Sequence, residues 1–490
     1  MTETFQFGDK LKRNLFIAIG LGIVGLVLAF FLYPQNNHSR FWTNVLANAY
    51  YFTGIGIFGI FFVAANQLGY GGWIALVRRV IFSLSSFVIV GGPILLLIVA
   101  FTWFGGHNIY DHWVHFLHDP SLITEKLTTK AVYLSLPFWT ARIVIYVVLW
   151  IVFGRLFSKF LDKDLSEKRN YKISKLLAAV WIVIFAVSES AVSWDMVMSI
   201  DPHWYSTLFG WYNFASYGCA AFAFSILLVI YLKSQGYLAQ VNENHIHDLG
   251  KFLFGFSVFW TYLWFSQFML QWYANIPEDT MYWAKRFNTG FKISIFVALA
   301  INFVLPMLVI LKRGAKRNFR TIGFASVMLI IGHYMDFCNM IMFEPNVAAA
   351  HGEHGSGHHA ALTSSNTVLY AENKVAVKEE VVPVVATDAT ETPAAEAHAT
   401  EAHTTDAKAE GHDKAAAHAG HEATAAHGEE HGHGEEVKSY AGFGLVEILI
   451  FIGFTGAFLF MFFYELAKHP LQNEKDPYFQ ESVKLSVTYA

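Results

Sequence analysis

The run 188–212, SESAVSWDMVMSIDPHWYSTLFGWY, places Glu189 inside an apolar stretch and Asp195, Asp201 and His203 in the short connection before the next one. An ionisable group in hydrocarbon costs ~3 kcal/mol or more unless it is paired or wetted, so such groups are expected where protons or polar ligands are handled. A second set lies further along. His333 and Asp336 share one sector of an apolar run, with Glu344 two turns beyond Asp336, and Arg142 and Glu447 lie in two further runs. Arg142 would pair naturally with Glu189, Asp336 or Glu447. The chemistry open to Arg142, Glu189, Asp195, His333, Asp336 and Glu447 is proton transfer or contact with a bound quinone-like molecule. The alternative is that they only glue helices together. Glue is the reading adopted for Gln267, Gln271 and Asn275.

The elements that must position these residues are membrane spans. Of 490 residues 54% are apolar, 17% aromatic and only 15% charged, which excludes an ordinary water-soluble domain. Ten runs are long enough to cross a bilayer: 14–33, 48–67, 79–104, 131–157, 173–193, 208–232, 251–272, 289–311, 320–343 and 441–464. Run length also argues against barrel strands. Lys10, Lys12 and Arg13 precede the first run with no small-residue cleavage pattern after it, as in an uncleaved signal anchor. Pro93, Pro137 and Pro306 interrupt the third, fourth and eighth runs.

Lys and Arg are split 22 to 10 between the two sets of connections and ends, with Arg142 and Lys292 inside spans. The positive-inside rule then places both termini in the cytoplasm, and the connections near 105–130, 194–207, 273–288 and 344–440 outside. The expected organisation is spans one to nine over 1–344, a periplasmic insertion over 345–437, the tenth span over 438–467 and a cytoplasmic tail over 468–490. The insertion, rich in Ala, His, Glu and Thr, holds twelve His, sixteen Asp or Glu and four Lys, a composition that predicts disorder. Its histidines could bind zinc or copper loosely, though a solvated, tolerated insertion is the plainer reading.

Redox centres are not expected in this chain. The two cysteines, Cys219 and Cys338, form no CxxC and read as packing residues. His333 is the one histidine well inside a span, and a membrane haem b needs two. Asp111, His112, His115 and His118 could chelate a metal on one helix face, but the apolar residues between them fit an amphipathic interfacial segment better. The connection after Glu189 has no Lys or Arg and three tryptophans, Trp194, Trp204 and Trp211, suited to the bilayer surface. In it Asp201, His203 and Trp204 are candidates for docking a partner.

SWDMVMSIDPHWYSTLFGWY, the LPFWTAR segment at the fourth span, the ten spans and the long insertion before the last one together resemble the F subunit of alternative complex III. This is the bacterial quinol:cytochrome c oxidoreductase unrelated to cytochrome bc1. The resemblance covers essentially the whole chain outside the His-rich insertion. It implies an all-α polytopic membrane protein of the polysulfide-reductase/nitrite-reductase anchor class, with two four-helix bundles and two peripheral helices, in a bacterial inner membrane. It implies haem c and iron–sulfur clusters in partner cytochrome c and iron–sulfur subunits, a quinol-binding sister membrane subunit and an associated terminal oxidase. No GHAGT-like or MGRP-like segment of the kind that sister subunit carries is present. The resemblance therefore points to a subunit with no redox centre of its own, supporting the quinol-oxidising subunit and conducting protons. A stand-alone proton-coupled secondary transporter and a pure scaffold are the alternatives.

Overall fold

The computed structural model describes residues 3–107, 109–114, 130–161, 163, 165–287, 291–343 and 444–485. The 345–437 insertion, His115, His118 and Glu344 lie outside them. Within the described residues the chain is helical, and ten helices are long and apolar enough to cross a membrane. They are α1 (Asp9–Leu32), α2 (Gln35–Leu68), α3 (Arg78–Trp103), α4 (Leu136–Leu161), α5 (Lys168–Met196), α6 (Leu208–Ser234), α7 (Glu243–Ala274), α8 (Phe291–Val309), α9 (Phe319–Ile341) and α10 (Leu445–Ala467). This is the all-α polytopic architecture expected from the sequence. α2–α5 pack as one four-helix bundle, α6–α9 as a second, and α1 and α10 lie alongside as a pair.

α2 is the hub. It packs against α3, α5, α6, α9 and α10, and 94% of its most apolar window is buried, against 22% for α1. It begins well before the apolar run at 48–67, because its first turns carry Ser39, Arg40, Thr43, Asn44 and Asn48, all buried. Polar residues in such a place must be satisfied by the protein. The Asn44 amide donates to the Arg40 carbonyl at 2.8 Å, and the Asn48 amide to the Asn44 carbonyl at 2.9 Å and to the Tyr334 hydroxyl at 3.0 Å.

The prolines behave differently from one another. Pro137 sits in the first turn of α4, where no helical N–H is lost, so it opens that span rather than interrupting it. Pro93 lies within α3. Pro306 follows a π-helical turn, Ala300–Val304, in α8. Lacking an N–H, it cannot bond to the carbonyl four residues back, that of Asn302, and the Ser257 hydroxyl of α7 donates there instead.

α1 and α10 cross so closely at Gly22 and Gly453 that a Cβ on either would overlap the other backbone, and Gly25 and Gly456 are nearly as tight. Close approach of this kind lets dispersion forces hold helices together where hydrophobicity cannot. Gly20, one position from the same helix's contact face, has open space around it.

The two ends of the bundles differ. At the end bearing residues 3–8, segment 468–485 ties several spans together. Asp476 pairs with Arg78, and the Asn473 amide donates to the Leu161 carbonyl at 3.1 Å. Ser482 donates to the Trp73 carbonyl at 2.8 Å and faces His245 Nε2 at 3.2 Å, while Asn242 and Asn244 donate to the Leu485 carbonyl. At the opposite end, Asp111–Val114 is a single helical turn whose Trp113 is buried against Tyr110 and Trp139. His107, just beyond α3, is also buried there. Its Nε2 faces the Ile98 carbonyl at 3.0 Å and its Nδ1 faces the Ile109 N–H at 3.4 Å, and burial lowers its pKa.

Two outcomes follow from these contacts. Gly453→Leu should detach α1 from α10 and cost ~1–3 kcal/mol by overpacking, whereas Gly20→Leu should be silent. Cysteine cross-linking yield between the two helices, with the melting temperature, checks both. His107, neutral in the fold, contributes stability that is full above pH ~6.5 and falls as pH drops below that value toward its lowered folded pKa, because the unfolded chain takes up the proton first. The melting temperature should therefore fall less between pH 7.5 and 5.5 in His107→Gln than in the wild type.

Candidate functional site

Four buried acids, Glu189, Asp195, Asp336 and Glu447, lie toward the end of the helices opposite segment 468–485, two in ion pairs with arginine and two held by neutral donors; Asp248 and Asp476 are buried at the other end. Arg142 pairs with Asp195, not with Glu189, Asp336 or Glu447. Its Nε and Nη2 reach the two carboxylate oxygens at 3.0 and 2.8 Å, Nη2 also donates to the Tyr133 carbonyl at 2.9 Å, and the guanidinium lies 3.8 Å from the Tyr133 ring. The reason is register: α4 and α5 run antiparallel, so the start of one meets the end of the other. The Trp139 indole and the Ser199 hydroxyl donate to the Asp195 carbonyl, fixing the turn after α5.

Glu447 is taken by Arg40, which lies in the first turns of α2, ahead of that span's apolar run. Arg40 Nη2 lies 2.6 Å from Glu447 Oε1, and the Gly444 N–H donates to Oε2 at 2.8 Å. Glu447 thereby caps the first turn of α10 and ties that helix to α2.

Glu189 has no basic partner in the described contacts. Its Oε2 accepts from the Ser190 hydroxyl at 3.1 Å. Glu189, Tyr50, Thr53, Trp150 and Tyr217 line a small internal cavity between α2, α4, α5 and α6. Three buried atoms there, Glu189 Oε1, the Tyr217 hydroxyl and the Thr53 hydroxyl, lack a hydrogen-bond partner within normal length. Tyr50, Thr53 and Tyr217 were not singled out from the sequence. Each is an ordinary residue of an apolar run, and only the helix packing brings them to Glu189.

Asp336 is the centre of the second bundle. Tyr212 donates to one carboxylate oxygen, and the Trp260 indole and the Ser216 hydroxyl donate to the other at 2.9 and 3.1 Å. Ser216 has a single proton. If it serves Asp336, then the His333 Nδ1, 3.0 Å from the same hydroxyl, must be the donor to Ser216, which leaves His333 Nε2 as an acceptor without a partner. One turn further toward the other end, Asn302 of the π-helical turn is buried with neither amide atom bonded, tight against Gly332. Asp336, Ser216, His333 and Asn302 thus form a line of polar groups reaching inward. The i, i+4 pair Tyr212–Ser216, inside the same run as the sequence motif, was a signal that could have been read.

The remaining expected residues are more scattered. Asp201 accepts from the His203 N–H at 3.3 Å, and His203 is exposed. Trp204 is buried instead, its ring stacked 3.9 Å from that of Tyr282. Trp211 and Tyr205 are the exposed rings of that segment. Asn275 ends α7 in the left-handed conformation, so it caps that helix and does not join it to another. Cys219 and Cys338 are buried and unpaired with each other. Among the described residues no group of three or more His, Cys, Asp or Glu side chains could hold a metal ion. No family model matches this sequence, and no curated protein matches it.

The arrangement separates structural from chemically available acids. Asp195 and Glu447 are neutralised by arginine, whereas Glu189 and Asp336 face only hydroxyls, an indole and, through Ser216, an imidazole. Arg142→Ala should therefore cost ~3–5 kcal/mol by stranding Asp195, while Arg142→Met with Asp195→Leu should recover most of it. Thermal unfolding of the purified chain distinguishes the two.

Proposed function

We propose that this chain is an integral subunit of a bacterial respiratory quinol:cytochrome c oxidoreductase of the alternative complex III type, similar to its F subunit. It carries no redox centre, supports the quinol-oxidising sister subunit and handles protons through Glu189 and Asp336. The observation that carries the reading is the pair of buried carboxyls held without any basic partner in the described contacts, one in each four-helix bundle, beside the motif that bears the resemblance. A carboxyl matched by arginine stays ionised. One matched by hydroxyls can change protonation state at tolerable cost, as a relay requires.

In this reading the end bearing segment 468–485 faces the cytoplasm, in keeping with the distribution of Lys and Arg. The acids then lie in the periplasmic half, where haem c and iron–sulfur partner subunits would dock on the connection carrying Asp201 and His203. Trp204 would support that surface from beneath. The segment that stitches α3, α4 and α7 together at the cytoplasmic end also weighs against a stand-alone transporter, whose halves must rock against each other.

Mild-detergent purification of the tagged chain from its native membrane should retain c-type cytochromes and an iron–sulfur protein in fixed ratio. Recovery of the chain free of any cytochrome would refute the assignment. Within the assembled complex, Glu189→Gln or Asp336→Asn should lower quinol-driven proton release by roughly tenfold or more while leaving haem content intact. Unchanged turnover and release in both would leave a scaffold.

A further inference from the structure

Basic residues crowd one place at the end bearing segment 468–485. The stretch 309–335 holds Lys312, Arg313, Lys316, Arg317 and Arg320, and no Asp or Glu. Lys251 of α7 joins them: the charges of Lys251, Arg313 and Lys316 all act on His247, one turn before Lys251. The described acids beside them are two. Asp248 lies 2.7 Å from the Lys251 ammonium, and Glu243 lies 3.5 Å from Arg317 Nε. Lys316 is buried and donates to the Ile310 and Leu311 carbonyls, so its charge serves the end of α8. Lys251, Lys312, Arg313 and Arg320 are exposed.

The surface below these cations indicates what they face. α7 runs for 32 residues, against the ~20 that cross a bilayer. Its first two turns therefore stand beyond the hydrocarbon, and Lys251 sits where the apolar run begins. Gly255, Val258 and Tyr262 follow Lys251 at helical intervals along one stripe of α7, and all are exposed. Nothing lies within 4 Å of the place a Gly255 Cβ would occupy, so the stripe is notched directly below the ammonium. On and just past α8, Val304, Leu308 and Leu311 form a second exposed apolar stripe, which ends at Lys312. Apolar stripes that rise to a group of cations match a phosphate carried on acyl chains. A soluble anion would engage the cations and leave the stripes alone. A zwitterionic headgroup would bring its own cation against them.

We infer that this place binds an anionic phospholipid, with Lys251, Lys312 and Arg313 around the phosphate and an acyl chain lying over Gly255 and against Val258. The site goes beyond the attraction that any basic connection has for an anionic membrane surface, because it joins the cations to a notched apolar stripe. It does not rest on the proposed function, since it needs neither quinol nor a cytochrome partner.

The test is native mass spectrometry of the full chain released from detergent micelles after titration with dioleoylphosphatidylglycerol. Binding should saturate. Lys251→Gln with Arg313→Gln should weaken it roughly twentyfold, at about fivefold for each cation near a membrane surface. Lys168→Gln with Arg169→Gln, two exposed cations at the start of α5 and at the same end of the molecule, should leave it unchanged. Gly255→Leu alters no charge and has open space to fill, so it should weaken binding several-fold while keeping the melting temperature. Equal losses in the two charge-deleted pairs would reduce the site to general attraction and overturn it. Equally tight binding of dioleoylphosphatidylcholine, an unaltered affinity in Gly255→Leu, or displacement of the lipid by inorganic phosphate would each overturn it as well. None of these outcomes bears on whether cytochromes co-purify, so a failure here is distinct from a failure of the proposed function.

Discussion

A carboxyl group buried among apolar helices must be matched by donors on its neighbours, and that requirement organises this molecule. Hydrocarbon offers no hydrogen bonds, so each acid fixes which helix lies beside which and in what register. Glu447 brings α10 to α2 through Arg40, and Asp195 brings α5 to α4 through Arg142. Asp336 gathers α6, α7 and α9 at one point through Tyr212, Ser216 and Trp260. The apolar contacts fill space around these points. They have no directional preference of their own in lipid, so the polar contacts supply the register.

The same rule explains why α2 is the centre. A helix whose first turns hold Ser39, Arg40, Asn44 and Asn48 is a poor neighbour for lipid, and surrounding it with five other spans is the way to house it. α1 is the reverse case: Ile17, Ile23 and Phe31 are exposed, and at its crossing with α10 the backbones meet at Gly22 and Gly453, with Ala18 against Gly456 and Phe16 against Phe460 beside them. A polar hub and an apolar periphery invert the arrangement of a soluble domain, as expected when the solvent is lipid.

Much of this was legible in the sequence. Ten apolar runs correspond to ten spans, and Glu189, Asp195, Asp336 and Glu447 are buried, while Glu344 lies outside the described residues. The pairings were not legible, because they depend on antiparallel register between helices far apart in sequence. Arg142 was matched to three wrong acids for that reason, and Arg40 was passed over because it precedes the apolar part of its own helix. The start of α2 was missed by thirteen residues on the same ground: hydropathy reads the residues' affinity for lipid, and α2 barely meets lipid. The orphaned groups, Asn302 and Thr53, are also invisible in a sequence, since having no partner is a property of packing.

Each bundle holds one buried carboxyl, Glu189 or Asp336, without a basic partner in the described contacts. A neutralising arginine would serve stability as well, as it does for Asp195 and Glu447. Leucine in place of the acid would serve it better, since a buried acid without a charge partner is a net cost. Glu189 and Asp336 differ in what surrounds them. Glu189 faces a small enclosed cavity with three unsatisfied polar atoms, whereas Asp336 faces an aromatic cleft on one side and the Ser216–His333 pair on the other. The two acids thus sit in different settings, one beside a small cavity among apolar side chains and one between an aromatic wall and an imidazole.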